Sequence, residues 1–192
     1  MDLAAAARVL AGGGLVCVAT ESTYGLAADL RRPEALARLS AVKRARPGDA
    51  PFAVIAPDEA AARALARVWP AAAGELAARH WPGPLTLVVP ARADLPPAVV
   101  GPGGGVGVRV SSHPLAAGLA RALGAPITAT SANRSGAPPA TTAAEARAAL
   151  GDEIDLYLDG GRCAGMPSTV VEITAEGALR AIRQGAIALA PR

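Results

Sequence analysis

The sequence predicts a mixed α/β protein, on three observations. Apolar runs of strand length alternate with Ala-rich segments of helical length. Helix starters (Asp, Thr, Pro) and helix stoppers (Gly) bound most of those segments. The 192 residues are 52% hydrophobic but only 3% aromatic, so Ala, Val and Leu must supply the core. At this length that core should remove roughly 70% of the unfolded chain's surface from water, without disulfide or metal staples.

The elements follow in chain order. Asp2 caps a helix that ends at Gly12-Gly13-Gly14, and Leu15 to Ala19 is a strand. Pro33 and Glu34 open a helix whose Leu36, Leu39 and Val42 share a face. Phe52 to Ala56 reads as a buried strand, and Pro57-Asp58-Glu59 starts another helix. Leu85 to Val89 and Val106 to Val110 are strands on either side of a Pro/Gly-rich loop. His113-Pro114 opens a helix ending near Gly124, and Ile127 to Thr130 is a short strand running into a polar turn. Thr141 or Thr142 caps a helix stopped at Gly151. Asp155 to Leu158, Thr169 to Thr174 and Ala178 to Ile182 complete the strands. With no repeat, linker or break in composition, residues 1–192 read as a single domain.

Composition narrows the function classes. Charged residues are 18% and the net charge is +3, too mild for disorder or a polybasic arm. The longest uncharged run, Leu95 to Val108, is broken by Pro and Gly and cannot span a membrane. The N-terminus lacks the basic start and cleavage site of a signal peptide. Cys17 and Cys163 form no C-x-x-C pattern, which signals neither a disulfide framework nor a zinc site. Cys17 lies in an apolar run, as a buried small hydrophobe would. His80 and His113 are too few for a His-rich metal centre. The expectation is a reduced, cytoplasmic enzyme or binding protein. Of the 19 basic side chains a single one, Lys43, is lysine.

Several nucleotide-binding frameworks are missing. The lone lysine follows Val42, so there is no Walker A loop. Gly103-Gly104-Gly105-Val106-Gly107 precedes a strand instead of following one, unlike a dinucleotide fingerprint. No Gly-x-Ser-x-Gly elbow occurs. Phosphate recognition must then fall to Arg, Lys, hydroxyls and backbone amides.

Polar segments at strand ends are the candidates for that task. Thr20-Glu21-Ser22-Thr23-Tyr24-Gly25 follows the first strand, either as a ligand-facing edge or as an ordinary hydroxyl-rich turn. Lys43-Arg44-Ala45-Arg46 puts three cations where Pro47 should end a helix, more than dipole compensation needs and suited to a polyanion. Ser131 and Asn133, two apart, face the same way in an extended segment and offer a hydroxyl and a carboxamide. Pro167-Ser168-Thr169 and Arg183-Gln184-Gly185 lie at the edges of late strands. Arg109 sits inside an apolar strand, where a charge must either pair with an acid or await an anionic ligand.

In this order the segments resemble the threonylcarbamoyl-AMP synthase (YrdC-like) family. The matching stretches are Thr20 to Leu26, Arg46-Pro47-Gly48-Asp49-Ala50-Pro51, Trp81-Pro82-Gly83-Pro84-Leu85-Thr86, Val108-Arg109-Val110, Ser131 to Gly136 and Ser168 to Val171, closed by Arg183-Gln184-Gly185-Ala186-Ile187. The resemblance implies a twisted mixed sheet with flanking helices around a large basic concave groove. The implied reaction joins L-threonine, bicarbonate or CO2 and ATP into L-threonylcarbamoyladenylate and pyrophosphate, with Mg2+ on the phosphates and no protein-bound metal. A separate tRNA threonylcarbamoyl-transfer complex would then use the product for the t6A modification. Weak tRNA binding is a further expectation.

Carried over by position, Arg46 with Lys43 or Arg44 would hold the phosphates as the catalytic cations. Ala50, Gly105, Ser131, Asn133, Pro139 and Arg183 would complete the ATP side. Ser22, Ile55, Arg109, Ala129 and Ser168 would surround L-threonine, with Arg109 on its carboxylate. The family pattern Lys-x-Arg-Pro puts Arg44, not Lys43, at the lysine position. Ala19 stands for a usual Pro, Ser22 for a usual Thr, and Pro167 for a usual Glu. The competing readings are a related carbamoyl-adenylate-forming module and a non-catalytic RNA-binding paralogue.

Overall fold

The computed structural model describes residues 2–43 and 50–188. Arg44 and Arg46 lie outside the described residues. The helices are α1 (Leu3–Ala11), α2 (Pro33–Val42), α3 (Glu59–Arg63), α4 (Ala71–His80), α5 (Pro114–Leu123) and α6 (Ala143–Leu150). The strands are β1 (Val16–Ala19), β2 (Tyr24–Ala27), β3 (Ala53–Ile55), β4 (Leu85–Pro90), β5 (Gly105–Arg109), β6 (Ile127–Ser131), β7 (Leu156–Leu158), β8 (Thr169–Ile173) and β9 (Leu179–Arg183).

Capping chemistry sets the helix ends. Asp2, Asp58 and Thr142 each accept a backbone N–H of the first turn they cap, from Ala5, Ala61 and Glu145. His113 caps α5 through Nδ1, and Gly124 ends it at φ +66°, the left-handed conformation glycine adopts without a Cβ clash.

Nine strands form one mixed sheet in the order β7-β1-β2-β6-β3-β5-β4-β8-β9. The β1–β7, β3–β5 and β4–β8 pairs are parallel and the rest antiparallel. Alternating side chains separate two faces. One face buries Cys17, Leu26, Val54, Leu85, Leu87, Val106, Val108 and Val171 against α2, α4 and α6. The other buries Val16, Val18, Ala27, Ile55, Ile127 and Leu158 against Ala6 and Leu10 of α1 and Leu119 of α5. These helices cover the sheet from β7 through β1, β2 and β6 to Ile55 of β3, and no buried residue of β4, β5, β8 or β9 packs in that cluster.

Three elements depart from expectation, the first being α4 (Ala71–His80), a second helix after the one that Pro57-Asp58-Glu59 starts. The polar segment after β1 is a hairpin turn, closed by Thr20 N–H and Oγ1 donating to the Thr23 carbonyl, and β2 follows it directly. Four residues, Tyr-Gly-Leu-Ala, were too short a run to read as a strand. At the chain end, β8 and β9 pair through an irregularity at Val170/Val171, and the sheet edge starts at Leu179.

Candidate active site

Strand register collects the predicted residues on this second face, Ile55 and Ala129 in the part packed under α1 and α5 and Arg109 and Gly105 beyond it. Ile55 pairs with Arg109, Ala53 with Ala129, Gly105 with Pro90, and Ser131 with Gly25. All of them point away from the Val54, Val106 and Leu87 side of the sheet. Ala53, Val88, Gly105, Ala129 and Ser131 are half-buried, whereas their opposite-facing neighbours are buried. The floor here is shallow: a Cβ added to Gly107 would lie 3.4 Å from Thr86 Cγ2 and 4.0 Å from Ala53 Cβ. Small residues, Ala53, Gly107 and Ala129, line this part of the sheet.

Arg109 is 6% exposed at one rim of this floor. Its Nη1 stands 3.5 Å from Glu21 Oε2. Of the two alternatives for a charge inside an apolar strand, the acidic partner is present. Glu21 also accepts Ser111 Oγ at 2.9 Å, Ser112 N–H at 2.6 Å and Ser112 Oγ at 3.1 Å. Burial works to raise the Glu21 pKa, but the Arg109 charge and these hydrogen bonds outweigh it and hold the carboxyl below its ordinary value. Glu21 is therefore an anion that fixes Arg109, and it is unsuited to be a general base at neutral pH. Burial lowers the Arg109 pKa, the Glu21 charge opposes that, and the Arg183 charge adds to it.

Beside Glu21, the Ser22 hydroxyl is buried and has no hydrogen-bond partner among the described residues. A buried hydroxyl without a partner is unusual, and a ligand atom is one way to satisfy it. Gly165 N–H donates to the Ser22 carbonyl at 2.7 Å, which brings the 159–168 segment across this corner. Tyr24 anchors that segment, its hydroxyl accepting Gly160 N–H at 2.9 Å and lying 2.8 Å from the Gly161 carbonyl.

Across the floor, Arg183 donates through Nη2 to Ser168 Oγ at 2.9 Å and through Nε to the Ser168 carbonyl at 3.0 Å. Thr86 Oγ1 lies 3.2 Å from the same Ser168 hydroxyl. Thr169 Oγ1 accepts the N–H groups of Gly185 and Ile187 and donates to the Ile187 carbonyl. That clamp holds β9 and the chain after it against the start of β8.

Lys43 is 5% exposed. Its Nζ donates to the Ser131 carbonyl at 2.8 Å, the Asn133 carbonyl at 2.7 Å and Asn133 Oδ1 at 2.9 Å. Ser131 Oγ also donates to Asn133 Oδ1, while Asn133 Nδ2 donates to the Arg134 and Ala137 carbonyls. Ser131 and Asn133 do meet, as their spacing suggested, and the ammonium between them shapes the loop that follows β6. Lys43→Met is expected to destabilise the protein by about 2 kcal/mol in denaturant unfolding, because buried acceptors lose a charged donor. Unchanged stability would contradict this role.

The remaining candidates are also placed. Ala50 and Pro139 are exposed in loops, and Ile55 is 1% exposed with its side chain in the core under α5. Burial pushes the Cys17 thiol up to about 12 and raises Cys163, so neither is a thiolate nucleophile at neutral pH. Burial lowers the His113 pKa against the Glu21 charge. His113 Nδ1 is occupied by Leu115 N–H at 3.3 Å. Among the described residues no three His, Cys, Asp or Glu side chains converge as a metal site would need.

Glu21, Thr86, Ser111, Ser112 and Thr169 belong to this site without having been singled out. Glu21 and Thr86 lie inside quoted motifs, but nothing local shows that Glu21 meets a strand 88 positions away.

Comparisons with known proteins identify the relatives of the chain. Residues 8–185 match the family model of the Sua5, YciO and YrdC proteins, described as "Telomere recombination". A protein named threonylcarbamoyl-AMP synthase from Nitrosococcus oceani is 39% identical over 167 residues, 86% of this chain and 89% of that protein. One of the same name from Xanthomonas campestris pv. campestris is 40% identical over 161 residues, 83% of this chain and 86% of that protein. P. abyssi Sua5 complexed with L-threonine superposes with a TM-score of 0.88 at 35% identity, over 95% of this chain and 54% of that one. The present chain thus spans about half the length of that solved relative. E. coli YciO, at 24% identity and a TM-score of 0.86, supports the fold alone. The chain belongs to the Sua5/YciO/YrdC family.

Proposed function

We propose that this chain is an L-threonylcarbamoyl-AMP synthase, making threonylcarbamoyl-AMP and pyrophosphate from L-threonine, bicarbonate or CO2, and ATP. The observation that carries the reading is the rim of the second sheet face. There the buried Arg109, held by Glu21, shares a corner with the unpartnered Ser22 hydroxyl. A guanidinium and a free hydroxyl over a floor of small residues suit a small amino acid: carboxylate to Arg109, polar atoms to Ser22 and Ser168.

In the chemistry, the free amine of threonine adds to CO2, loses a proton and becomes a carbamate. A carbamate oxygen then attacks the α-phosphorus of ATP, and pyrophosphate leaves with the bonding electron pair. No covalent enzyme intermediate is needed, so catalysis is positioning together with stabilisation of growing negative charge. Arg109 and Ser168 fix the amino acid. Arg183, Ser131, Asn133 and Gly105 at the start of β5 line the nucleotide side, with Ala50 and Pro139 at its edge and Ile55 and Ala129 on the threonine side. Lys43 shapes the 131–137 loop on the nucleotide side, and Arg46 with Lys43 or Arg44 holds the phosphates. Mg2+ would ride on the ATP phosphates, neutralising their charge.

The product is an activated carbamoyl donor, for a tRNA threonylcarbamoyl-transfer complex that completes t6A, in the cytoplasm. No described helix is long and apolar enough to cross a membrane. Any contact with tRNA would be weak, since the net charge is only +3.

Incubation with ATP, L-threonine and 13C-bicarbonate tests the reaction. Mass spectrometry should find threonylcarbamoyl-AMP carrying the label, and an unlabelled or absent product would refute the assignment. Arg46→Ala is expected to lower turnover by a factor on the order of 100 with the fold retained, as for loss of a transition-state clamp. A wild-type rate in that variant would remove Arg46 from the mechanism.

A further inference from the structure

Thr86 lies on β4 in the row next to Arg109 and is 4% exposed. Its hydroxyl has one hydrogen-bond partner among the described residues, Ser168 Oγ at 3.2 Å, and either atom could be the donor. Ser168 is 8% exposed, and its Oγ already accepts Arg183 Nη2 at 2.9 Å. A hydroxyl has one proton to give and two lone pairs to receive with.

Those counts decide the direction of the Thr86–Ser168 bond. If Ser168 donated to Thr86, the Thr86 proton would be buried with no acceptor, and Ser168 would have no proton left for a ligand. If Thr86 donates, its own proton is satisfied and both Ser168 lone pairs are filled, by Thr86 and by Arg183. The Ser168 proton is then forced out of the cluster. Buried donors that lack a partner are costly, so the second arrangement is the one the burial of Thr86 selects.

We propose that Thr86 is a positioning residue that sets the hydrogen-bond polarity of Ser168, turning the serine into an obligate donor toward an anionic oxygen of bound L-threonine. The inference rests on the reading of Ser168 as part of the threonine site. Thr86 touches no substrate; it acts through Ser168. A serine held as a donor favours a carboxylate or carbamate oxygen over an ammonium or a hydroxyl proton. Beside Arg109 it orients the amino acid by its charged end.

Calorimetric titration of L-threonine into wild type, Thr86→Val, Thr86→Ser, Ser168→Ala and the Thr86→Val/Ser168→Ala double variant separates the possibilities. Valine keeps the shape and strand preference of threonine, so the fold and its melting temperature should hold. Thr86→Val is expected to weaken L-threonine binding about tenfold, the scale of one charge-assisted hydrogen bond. KM for L-threonine should rise in parallel while KM for ATP stays as in wild type. Thr86→Ser restores the donor and should recover wild-type affinity within about twofold. In the Ser168→Ala background the valine substitution should add nothing, because the residue it acts through is gone.

Wild-type affinity in Thr86→Val, with Ser168→Ala weakened, would overturn the polarity role and leave the site reading intact. An equal penalty for valine in both backgrounds would also overturn it. Undiminished binding in Ser168→Ala would overturn both the role and the placement of Ser168 at the amino acid. A wild-type protein that binds no L-threonine would refute the proposed function itself.

Discussion

Arg109→Met is expected to lower kcat/KM for L-threonine by a factor on the order of 100 to 1,000, the effect of removing a buried guanidinium from a carboxylate. The same change should destabilise the fold by about 3 kcal/mol, the lower end for a broken buried ion pair. The cost stays at that end because Glu21 keeps its bonds from Ser111 and Ser112. Adding Glu21→Gln removes the stranded carboxylate and should return most of the stability but none of the activity. Recovery of both would mean that Arg109 serves the fold alone.

Acid should modulate the same pair. The folded-state pKa of Glu21 is below its ordinary value of 4.5. Its contribution is therefore present above that value and is lost as pH falls through the lowered one. In Arg109→Met the burial that opposes ionisation loses its largest counterweight, leaving the Ser111 and Ser112 hydrogen bonds, and the Glu21 pKa should rise. The stability gap between wild type and variant is then widest near neutral pH and closes on acidification. Denaturant midpoints at neutral and acid pH check this, and a constant gap would contradict it.

Gly185→Ala is the second large expected effect. A Cβ there would clash with the Pro167 carbonyl oxygen and sit 2.6 Å from the Ser168 carbonyl carbon. Both are backbone atoms and cannot swing away, so the 185–187 segment must lift off the start of β8. The Ala186 N–H to Pro167 carbonyl bond and the Thr169 clamp would open, and Arg183 would lose its seat on Ser168. β9 is exposed along its whole length, so little core is at stake. Stability should fall by only about 1 kcal/mol, in line with lost edge hydrogen bonds. Turnover should fall on the order of 100-fold, the scale for removing a preorganised charge donor. Wild-type turnover would contradict the role given to the Arg183–Ser168 contact.

Much of this fold was legible in local pattern. Apolar runs such as Leu85 to Val89 are strands whose Leu85, Leu87 and Val89 are buried in the core, a local pattern open to reading in the sequence. Helix ends at Asp2, Asp58, Thr142 and Gly124 follow from cap chemistry that operates within a few residues. β2 was hidden because four residues carry too short a period, and only pairing with β1 and β6 makes them a strand. The site divides along the same line. Arg109 was conspicuous as a charge in an apolar run, whereas Glu21 meets it only through the fold. Lys43 stood out as the single lysine, yet its three acceptors lie 88 to 90 positions onward. Thr86 looked like one more β-branched strand residue until its hydroxyl was seen against Ser168.

The central claim, that the site on the second sheet face joins threonine, bicarbonate and ATP, is tested most directly by pyrophosphate release from ATP, measured with L-threonine and bicarbonate each present or withheld. The account predicts release only when both are supplied. Release that ignores L-threonine, or that proceeds with carbamoyl phosphate in place of threonine and bicarbonate, would contradict it.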